Sequence, residues 1–435
     1  MLKAKKKTGL VFFPAFDWAI DPSHPEREER LLYTKDQVFE EGLMDIEGIK
    51  EYKPAKVTEN EINRAHFCVP DIQTVTTSSH FISAGGAKAI AQKFASGEID
   101  NGFALVRPPG HHAMRVVHGG RGFCNINIEA VMVEYLRKEH GYKKIAIVDT
   151  DCHHGDGTQD VYWHDPDVLF ISIHQDGRTL YPGSGFTEEL GGPNACGYNI
   201  NIPLPPKTSE EGYLYTIENC VLPILNEFKP DVIVNSAGQD NHYSDPLTNM
   251  NFTAQGYSKL TTLLNPDIAV LEGGYSIESA LPYVNAGIIL ALAGLDYSNV
   301  KEPDYNPESL KETPETIKYI KDLCKKVMGI WDSRNDLKKR VYGNDPIFKR
   351  KRNIVYDTDG IYERQFENVT NCDKCGGALK IDSESDRGWK ITGVHLPINA
   401  CEQCVTQAEK WYEDSNAEIS YFHDNKNDRF EKKKR

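Results

Sequence analysis

The 435-residue sequence predicts an α/β fold in which helices cover both faces of a mostly parallel sheet. Short β-branched runs alternate along the chain with segments of helical periodicity, which is the pattern of β-α-β units. Clusters of ionisable residues and glycines follow several of these runs directly, at the edge where α/β proteins bind ligands. The clearest example is residues 145–157, IAIVDTDCHHGDG, where a short apolar strand leads into aspartates, histidines and glycines.

The first elements of this pattern lie before the histidine pair. Residues 9–13 are predicted to form the first strand. Residues 79–96 place small side chains at helical spacing and predict a helix packed closely on the sheet, although the Gly85-Gly86 pair disfavours it. Residues 102–106 predict the next strand.

Two adjacent histidines follow that strand. The sequence Arg107-Pro-Pro-Gly fixes the loop at the strand end and brings His111 and His112 to the sheet edge that also holds Asp151. A single histidine is more often structural, but a tandem pair behind a rigid turn favours a functional role. Residues 128–139 then predict the crossover helix to the central strand.

The residues that follow the central strand have the types and spacing of metal ligands. If the extended conformation continues past Val148, then Asp149, Asp151 and His153 point the same way, because strand side chains alternate. Carboxylate and imidazole groups that converge suit a borderline divalent metal ion. The alternative interpretation is a polar turn, which rarely needs so many ionisable groups.

Further strands repeat the arrangement, each with a polar cluster at its carboxyl end. The predicted strands and helices are residues 168–173 (strand), 209–228 (helix), 232–236 (strand), 268–271 (strand) and 279–295 (helix). Asp240 and the segment Glu272-Gly-Gly-Tyr275 follow two of the strands. The glycine-rich loop at 180–185 lacks the lysine and hydroxyl residue of a phosphate-binding loop, so nucleotide binding is rejected.

The net charge, the N-terminal run and the cysteines limit the kinds of partner and the compartment that we expect. A net charge of −14 argues against direct nucleic-acid binding or attraction to acidic membranes, and weakly favours cationic substrates. The N-terminal basic and apolar run is too short for a signal peptide and lacks a cleavage site, so we expect a cytoplasmic protein. Six of the ten cysteines are scattered singly, as in reducing compartments.

The C-terminal part loses the strand–helix alternation. Residues 301–368 are predicted to form a charged helical connector, with basic clusters at 338–340 and 349–352 on its solvated surface; a nucleic-acid patch is the alternative. Residues 369–412 predict a zinc ribbon, because they hold two CxxC pairs: Cys372, Cys375, Cys401 and Cys404. Two disulfides or a redox dithiol are the alternatives. Residues 425–435 are predicted to be disordered.

Six motifs carry a resemblance to a known family and occur in that family's order. They are RPPGHHA (107–113), GFC (122–124), DTDCHHGDG (149–157), YPGSG (181–185), SAGQDNHYSDP (236–246) and EGGY (272–275). Residues 1–300 thus resemble the catalytic domain of the histone deacetylase superfamily, whose bacterial members include acetylpolyamine amidohydrolases and acetoin-utilisation-type proteins. The resemblance implies an arginase-like fold with a mostly parallel sheet of about eight strands.

The resemblance also implies roles for individual residues. It implies three ligands of a catalytic Zn²⁺: Asp151, His153 and Asp240. His111 and His112 resemble the tandem acid–base pair, with Asp149 behind the first and Asp156 behind the second. Tyr275 resembles the donor to the oxyanion. Zinc with three protein ligands keeps a position open for substrate and water.

Substrate contacts follow from the same resemblance. Phe123 and Tyr181 match the aromatic walls of an acyl-lysine tunnel, and Gly122 and Gly274 match residues beside the substrate amide. The departure at Gln239 is expected to affect the pocket floor. Family members also hold a monovalent cation, here K⁺, near four residues of this sequence: Asp149, Asp151, His153 and Ser172.

The activity implied is zinc-dependent hydrolysis of N-acetylated amines, such as acetyl-lysine in peptides and proteins or acetylated polyamines. Two other interpretations stand beside it. An arginase-type ureohydrolase shares the fold but needs a DxHxD pattern that DTDCHHGDG lacks. A silent module that binds acyl groups or partners would not need the full set of catalytic residue types. A second Zn²⁺ is expected in the cysteine ribbon, which is compatible with a role in homo-oligomers.

Overall fold

The computed structural model describes residues 2–21 and 23–435 and has a large parallel sheet in its N-terminal part. The strands there are β1 (Lys3–Phe13), β2 (Glu47–Glu51), β3 (Phe67–Cys68), β4 (Asn101–Val106), β5 (Val116–Val117), β6 (Ile145–Asp149), β7 (Val168–Gln175), β8 (Asn199–Leu204), β9 (Val232–Ser236) and β10 (Ile268–Val270). Eight of them form one sheet in the order β2-β1-β4-β10-β9-β6-β7-β8, with all neighbours parallel. Strands β3 and β5 pair with each other. The predicted fold class is confirmed.

Helices cover both faces of this sheet. They are α1 (Glu29–Glu40), α2 (Glu59–Asn63), α3 (Ile72–Val75), α4 (Ser78–Ala95), α5 (Ile128–His140), α6 (Asp156–Tyr162), α7 (Glu210–Thr216), α8 (Leu222–Phe228), α9 (Ala254–Leu264) and α10 (Leu281–Leu292). Leu10 and Val148 join the apolar cluster on one face, and their neighbours Val11 and Ile147 join the cluster on the other. Both faces are buried, as parallel sheets require.

Helix α4 confirms the helix predicted over residues 79–96, and packing explains its glycines. A Cβ atom on Gly85 would lie 1.4 Å from the carbonyl oxygen of Ala55. One on Gly86 would lie 2.5 Å from Val106 Cγ1, on the neighbouring strand β4. The glycines therefore allow a close approach that outweighs their low helix propensity.

Two details of the sheet domain differ from prediction. The helix predicted over residues 209–228 contains a π-helical turn at Ile217–Val221 between α7 and α8. Pro223 follows this turn and has no N–H to donate, so the regular hydrogen-bond ladder is interrupted there. The edge strands β2 and β8 were not predicted, and they complete the sheet on either side.

The residues after the sheet domain begin with two helices, α11 (Pro314–Asp332) and α12 (Arg334–Tyr342). Helix α11 packs its apolar face on the sheet domain through Ile320, Val327 and Trp331, which are buried. The indole Nε1 of Trp331 donates to Glu227 at 2.7 Å. This segment is therefore part of the sheet domain's outer layer.

Residues 347–435 form a second unit, here called the C-terminal domain. Its elements are β11 (Ile347–Tyr356), β12 (Ile361–Thr370), β13 (Leu379–Ser385), β14 (Lys390–Leu396), α13 (Glu402–Glu413), β15 (Ile419–Asp424) and β16 (Arg429–Lys434). The six strands pair in sequence order, antiparallel except for β14 with β15, which α13 connects. Ile381, Ile391 and Tyr421 from this sheet share an apolar cluster with Phe67 and Val116 of the sheet domain.

The segment predicted to be disordered, residues 425–435, instead contains strand β16. This strand pairs antiparallel with β15 at the edge of the sheet. Phe430 packs edge-on against His423, with ring centroids 5.4 Å apart. Its many charged residues suggested disorder, but lysines are also typical of exposed edge strands.

The basic cluster at 349–352 matches the predicted solvated surface only in part, because Lys349 and Lys351 are exposed but Arg350 and Arg352 are partly buried. It lies in β11, where Arg350 Nε donates to Glu367 at 2.8 Å and Arg352 pairs with both Glu367 and Asp160. These arginines link the C-terminal sheet to α6 of the sheet domain. Across residues 2–21 and 23–435, no helix combines the length and apolar character needed to cross a membrane.

Candidate active site

The side chains of Asp151, His153 and Asp240 meet at the carboxyl ends of β6 and β9. One ligand atom from each residue lies within 4.8 Å of the others. His153 Nδ1 is 2.8 Å from Asp240 Oδ2 and 3.2 Å from Asp151 Oδ1. The two strands are neighbours in the sheet, so their ends bring together residues nearly 90 positions apart in the sequence.

Two glycines, Gly238 and Gly273, lie against the two carboxylates. A Cβ atom on Gly238 would lie 2.0 Å from Asp151 Oδ2, and one on Gly273 would lie 2.4 Å from Asp240 Oδ2. The amide of Gly273 donates to Asp151 at 2.7 Å, which fixes that carboxylate. Two buried carboxylates and an imidazole in this cradle are a donor set that fits a divalent metal ion.

The two histidines of the PPGHH segment lie beside this cluster, each held by a carboxylate. His111 Nδ1 is 3.1 Å from Asp149 Oδ2, and His112 Nδ1 is 2.8 Å from Asp156 Oδ1. The ring centroids of the pair are 4.0 Å apart, and both side chains are buried. Both predicted histidine–carboxylate pairings are therefore present in the structure.

The two histidines have opposite charge preferences. Burial lowers the pKa of His111, but the carboxylates of Asp151 and Asp149 outweigh burial and hold this pKa well above its ordinary value. Burial and the charge on His111 lower the pKa of His112 to about 3, against the opposing effect of Asp156. A neutral His112 that donates from Nδ1 to Asp156 keeps a free lone pair on Nε2.

Arg121, which the sequence analysis did not single out, holds Asp156 from its other side. Arg121 Nε donates to Asp156 Oδ2 at 2.9 Å. Burial opposes ionisation of Asp156, but Arg121 and His112 lower its pKa well below the usual range. Asp156 therefore stays ionised and keeps His112 oriented.

A pocket of about 230 Å³ opens above these residues. Its wall includes seven of the predicted residues: His111, His112, Gly122, Phe123, His153, Tyr181 and Tyr275. Gly122 and Phe123 have φ angles of 50° and 70°, and a Cβ on Gly122 would lie 2.3 Å from the His112 ring. This left-handed pair of residues turns the Phe123 ring toward the site, where it meets Tyr275 edge-on at 6.2 Å.

The EGGY segment places Tyr275 through contacts with two other loops and with helix α1. Tyr275 N donates to Asp245 at 2.7 Å, and Glu272 accepts from Gly110 N at 2.7 Å. Burial raises the pKa of Tyr275 well above its ordinary value, so its hydroxyl stays protonated and can donate. The carbonyl of Gly274 accepts from Arg30 at 2.7 Å, and the neighbouring Gly273 lines the pocket, so the substrate contact of Gly274 stays a prediction.

Two further predicted residues take positions away from the pocket. The side chain of Gln239 donates to Asn285 and is not among the pocket residues. Ser172 lies beside Asp149 on the adjacent strand β7, where its hydroxyl is 2.8 Å from His174 Nδ1. The cation site at Asp149 and Ser172 stays a prediction.

A buried ionic network behind Tyr275 was missed by the sequence analysis. Glu26 accepts from Arg107 Nε at 2.8 Å and also pairs with Arg30. Arg30 donates to the carbonyl of Glu272 at 2.6 Å, and its guanidinium lies 5.0 Å from the Tyr275 ring centroid. The four-residue spacing of Glu26 and Arg30 was the available signal, but the polar loop around them obscured it.

The four cysteines of the two CxxC pairs form a second cluster, in the C-terminal domain. The Sγ atoms are 3.8 Å apart for Cys372 and Cys401, 3.6 Å for Cys372 and Cys375, and 3.5 Å for Cys375 and Cys404. These distances exceed the roughly 2.0 Å of a disulfide and approach the ~3.8 Å edge of a tetrahedral zinc–thiolate site. Amides of Lys374 and Gly377 donate to two of the sulfurs. The cluster fits a zinc ribbon.

Comparisons with known proteins agree with this geometry. The histone deacetylase domain family matches residues 71–290. A probable deacetylase of Archaeoglobus fulgidus is 44% identical over 332 residues, which cover 70% of this chain and 91% of that protein. A histone deacetylase-like amidohydrolase of Pseudomonas aeruginosa is 36% identical over 231 residues, covering 51% of this chain and 60% of its own length.

A solved structure extends the agreement to the fold. The crystal structure of the HDA15 HD domain superposes with a TM-score of 0.65 at 26% identity, covering 78% of this chain and 99% of that one. The parallel sheet, the residues at its strand ends and these matches lead to one conclusion. The chain belongs to the histone deacetylase family.

Proposed function

We propose that the protein is a zinc-dependent deacetylase that hydrolyses the amide bond of N-acetylated amines. The observation that carries the proposal is the arrangement at the pocket floor. There the Asp151–His153–Asp240 cluster lies beside His111 and His112, each backed by its own carboxylate.

The donor set supports Zn²⁺ as the cofactor, held by Asp151, His153 and Asp240. Bound zinc supplies Lewis acidity toward the acyl oxygen and makes a water molecule more acidic. Gly238 and Gly273 keep space around the two carboxylates, and the amide of Gly273 fixes one of them.

His112 is the proposed general base. His112 lines the pocket, and its Nε2, the nitrogen that is not bonded to Asp156, can take the proton of the attacking water molecule. Asp156, itself held by Arg121, stabilises the positive charge that His112 then carries. His112 returns the proton to the leaving amine, whereas the charged His111 acts as an electrostatic partner.

Tyr275 is the proposed donor to the oxyanion of the tetrahedral intermediate. It lines the pocket, stays protonated and is fixed by backbone contacts of the EGGY segment. Phe123 and Tyr181 are the proposed walls for the alkyl part of the amine, and the backbone of Gly122, which lines the same pocket, is the proposed contact for the substrate amide. The four cysteines are proposed to bind a second, structural Zn²⁺.

The test is hydrolysis of an acetyl-lysine peptide and of N-acetylputrescine by the wild type, His112→Ala and Tyr275→Phe. Removing the base or the oxyanion donor is expected to lower kcat by about 100-fold or more, with KM changed less. Thr262→Ala, a substitution of an exposed residue on α9, is the control for effects of purification and folding. Wild-type rates in both active-site variants would contradict the proposed mechanism. Bound metal without turnover of any acetylated amine would contradict the proposed activity.

A further inference from the structure

Two buried glutamates that have no role in the proposed mechanism meet beside the PPGHH segment. Glu129 lies in the first turn of α5, and Glu272 is the first residue of the EGGY segment, just after β10. Both residues are 0% exposed, and their carboxyl groups lie within hydrogen-bonding reach of each other. Buried acidic groups are costly unless they have partners, so this pair needs a chemical explanation.

The hydrogen bonds of Glu272 show which of its oxygens is engaged. Its Oε2 accepts from Gly110 N at 2.7 Å and from His111 N at 3.0 Å. No donor among residues 2–21 and 23–435 bonds to its Oε1 or to either carboxyl oxygen of Glu129. Three buried carboxyl oxygens are therefore left without an N–H or O–H partner from another residue.

The charged and titratable groups around the pair are engaged elsewhere. Arg30 donates to the backbone carbonyl of Glu272 and does not contact its carboxyl group. The His111 ring faces the pair but bonds to Asp149 through Nδ1. Burial raises the pKa of Cys124 well above its ordinary value, so its thiol stays neutral. None of these groups offers the pair a direct ionic partner.

A proton between the two carboxyl groups resolves the conflict. Two ionised carboxylates in contact repel each other strongly where water is excluded, and such pairs retain one proton. Burial and the charge of Glu129 raise the pKa of Glu272 well above its ordinary value, against the opposing effects of His111 and the Gly110 amide. A protonated Oε1 of Glu272 can donate to Glu129 while Oε2 keeps both backbone N–H groups.

We propose that Glu129 and Glu272 share one proton, and that this pair positions the catalytic groups by holding the PPGHH and EGGY segments together. The proposal rests on the proposed deacetylase function and adds Glu129 as a positioning residue that acts through Glu272. The Glu272 carboxyl group bonds to the backbone of His111, and its own segment ends in Tyr275. Loss of the shared proton would leave two negative charges in one buried space and would force the two segments apart.

The experiment measures kcat and KM for an acetyl-lysine peptide from about pH 6 to about pH 10. In the wild type, kcat should fall about tenfold on the alkaline side as the pair loses its proton, with KM changed less. In Glu129→Gln an amide N–H donates to Glu272 and no shared proton can be lost. This variant should therefore have kcat about threefold lower at neutral pH but should lack the alkaline fall that the pair causes.

Two further variants separate the shared proton from a general structural effect. Glu129→Ala leaves Glu272 without a partner and should lower kcat about tenfold at every pH, with Glu129→Gln carrying the test if the alanine variant does not fold. Glu139→Gln, the same chemical change at the other end of α5, is the matched control and should keep the wild-type pH profile.

Infrared spectroscopy tests the proton without relying on activity. At about pH 8, the difference spectrum between the wild type and Glu129→Gln should show the loss of one protonated-carboxyl band. An unchanged band overturns the shared proton, and an equal alkaline fall of kcat in the two proteins overturns its effect on catalysis. If the wild type hydrolyses no acetylated amine, the proposed function and the positioning role fail, while the infrared band still decides whether the proton is shared.

Discussion

The two clusters of metal-binding residue types in this chain differ in how they relate to the fold. The Asp151–His153–Asp240 cluster sits above a sheet whose own apolar clusters bury both faces, and it opens on a pocket. The four cysteines instead form part of a small core with Val394, Leu396 and Phe422. The first cluster lies outside the apolar core of its domain, whereas the second belongs to such a core, so only the second is expected to contribute strongly to the stability of its domain.

The largest expected effects follow from this contrast. Asp240→Ala should lower deacetylase activity about 1,000-fold or more, because it removes a proposed ligand of the metal that acts on the substrate. Hydrogen exchange of the parallel sheet should stay close to the wild type, because strands such as β6 and β7 are buried on both faces. Metal analysis should show the loss of one zinc per chain.

Cys375→Ser should destabilise its own domain and should lower activity less than Asp240→Ala does. We expect the loss of the other zinc and faster hydrogen exchange across β12 to β15, because the cysteine cluster belongs to the core of that sheet. Deacetylase activity should fall by about tenfold through displacement of the turn between β11 and β12 (residues 357–360), because Asp357 in that turn lines the pocket. Cys196→Ser, which changes a buried thiol of the sheet domain that belongs to neither cluster, is the matched control. Equal exchange rates in Cys375→Ser and the wild type would end the distinction between the two clusters.

The comparison between the two clusters can also be tested by a substitution in the sheet domain that lies outside both of them. Glu26→Gln removes the only negative charge between Arg30 and Arg107 in the buried network that the structure describes. Breaking a buried ion pair costs about 3–5 kcal/mol, so we expect a loss of unfolding free energy of about 4 kcal/mol, measured in urea.

Glu26→Gln should also alter the active site. Arg30 donates to the carbonyls of Glu272 and Gly274, so its displacement moves Tyr275. Glu29→Gln is the matched control, since its partner Arg27 is about one-third exposed and surface pairs contribute under about 1 kcal/mol. If both substitutions cost the same, the buried network does not stabilise this loop.

Both clusters were predictable from the sequence, whereas other residues of the site were not. Asp151, His153 and Asp240 were predictable because each follows a strand directly, and parallel strands bring their carboxyl ends to one edge. The cysteines were predictable because two short pairs with fixed spacing define a zinc ribbon. In both clusters the residues come from two short sequence segments, and the fold has only to bring those two segments together.

The residues that escaped prediction depend on distant contacts instead. Arg30 bonds with a carbonyl 244 positions away, and Asp357 bonds with Tyr181, 176 positions away. Single charged residues in polar segments carry no periodicity that would indicate such partners. Strand β16 escaped for a related reason, because its lysines suit an exposed edge strand as well as a disordered tail.

The smallest expected effect concerns pH and the junction of the two domains. His66 and His423 are buried there, and burial together with Arg115 lowers their pKa values to about 4 and about 3. His66 contacts the Met114 carbonyl and Asn127 N, with Asp160 as an opposing charge, and His423 packs on Phe67 at 4.3 Å.

Because the unfolded chain binds these protons near pH 6.5 and the folded chain does not, stability should fall as the pH drops below 6.5. The loss from His66 alone should be about 1 kcal/mol at pH 5.5 and about 3 kcal/mol at pH 4. Hydrogen exchange as a function of pH should show the C-terminal domain opening before the parallel sheet. His423→Phe should flatten this dependence, whereas His140→Phe, at an exposed helix end, should not. An unchanged slope in His423→Phe would remove this histidine from the acid response and with it the prediction that the domain junction opens first.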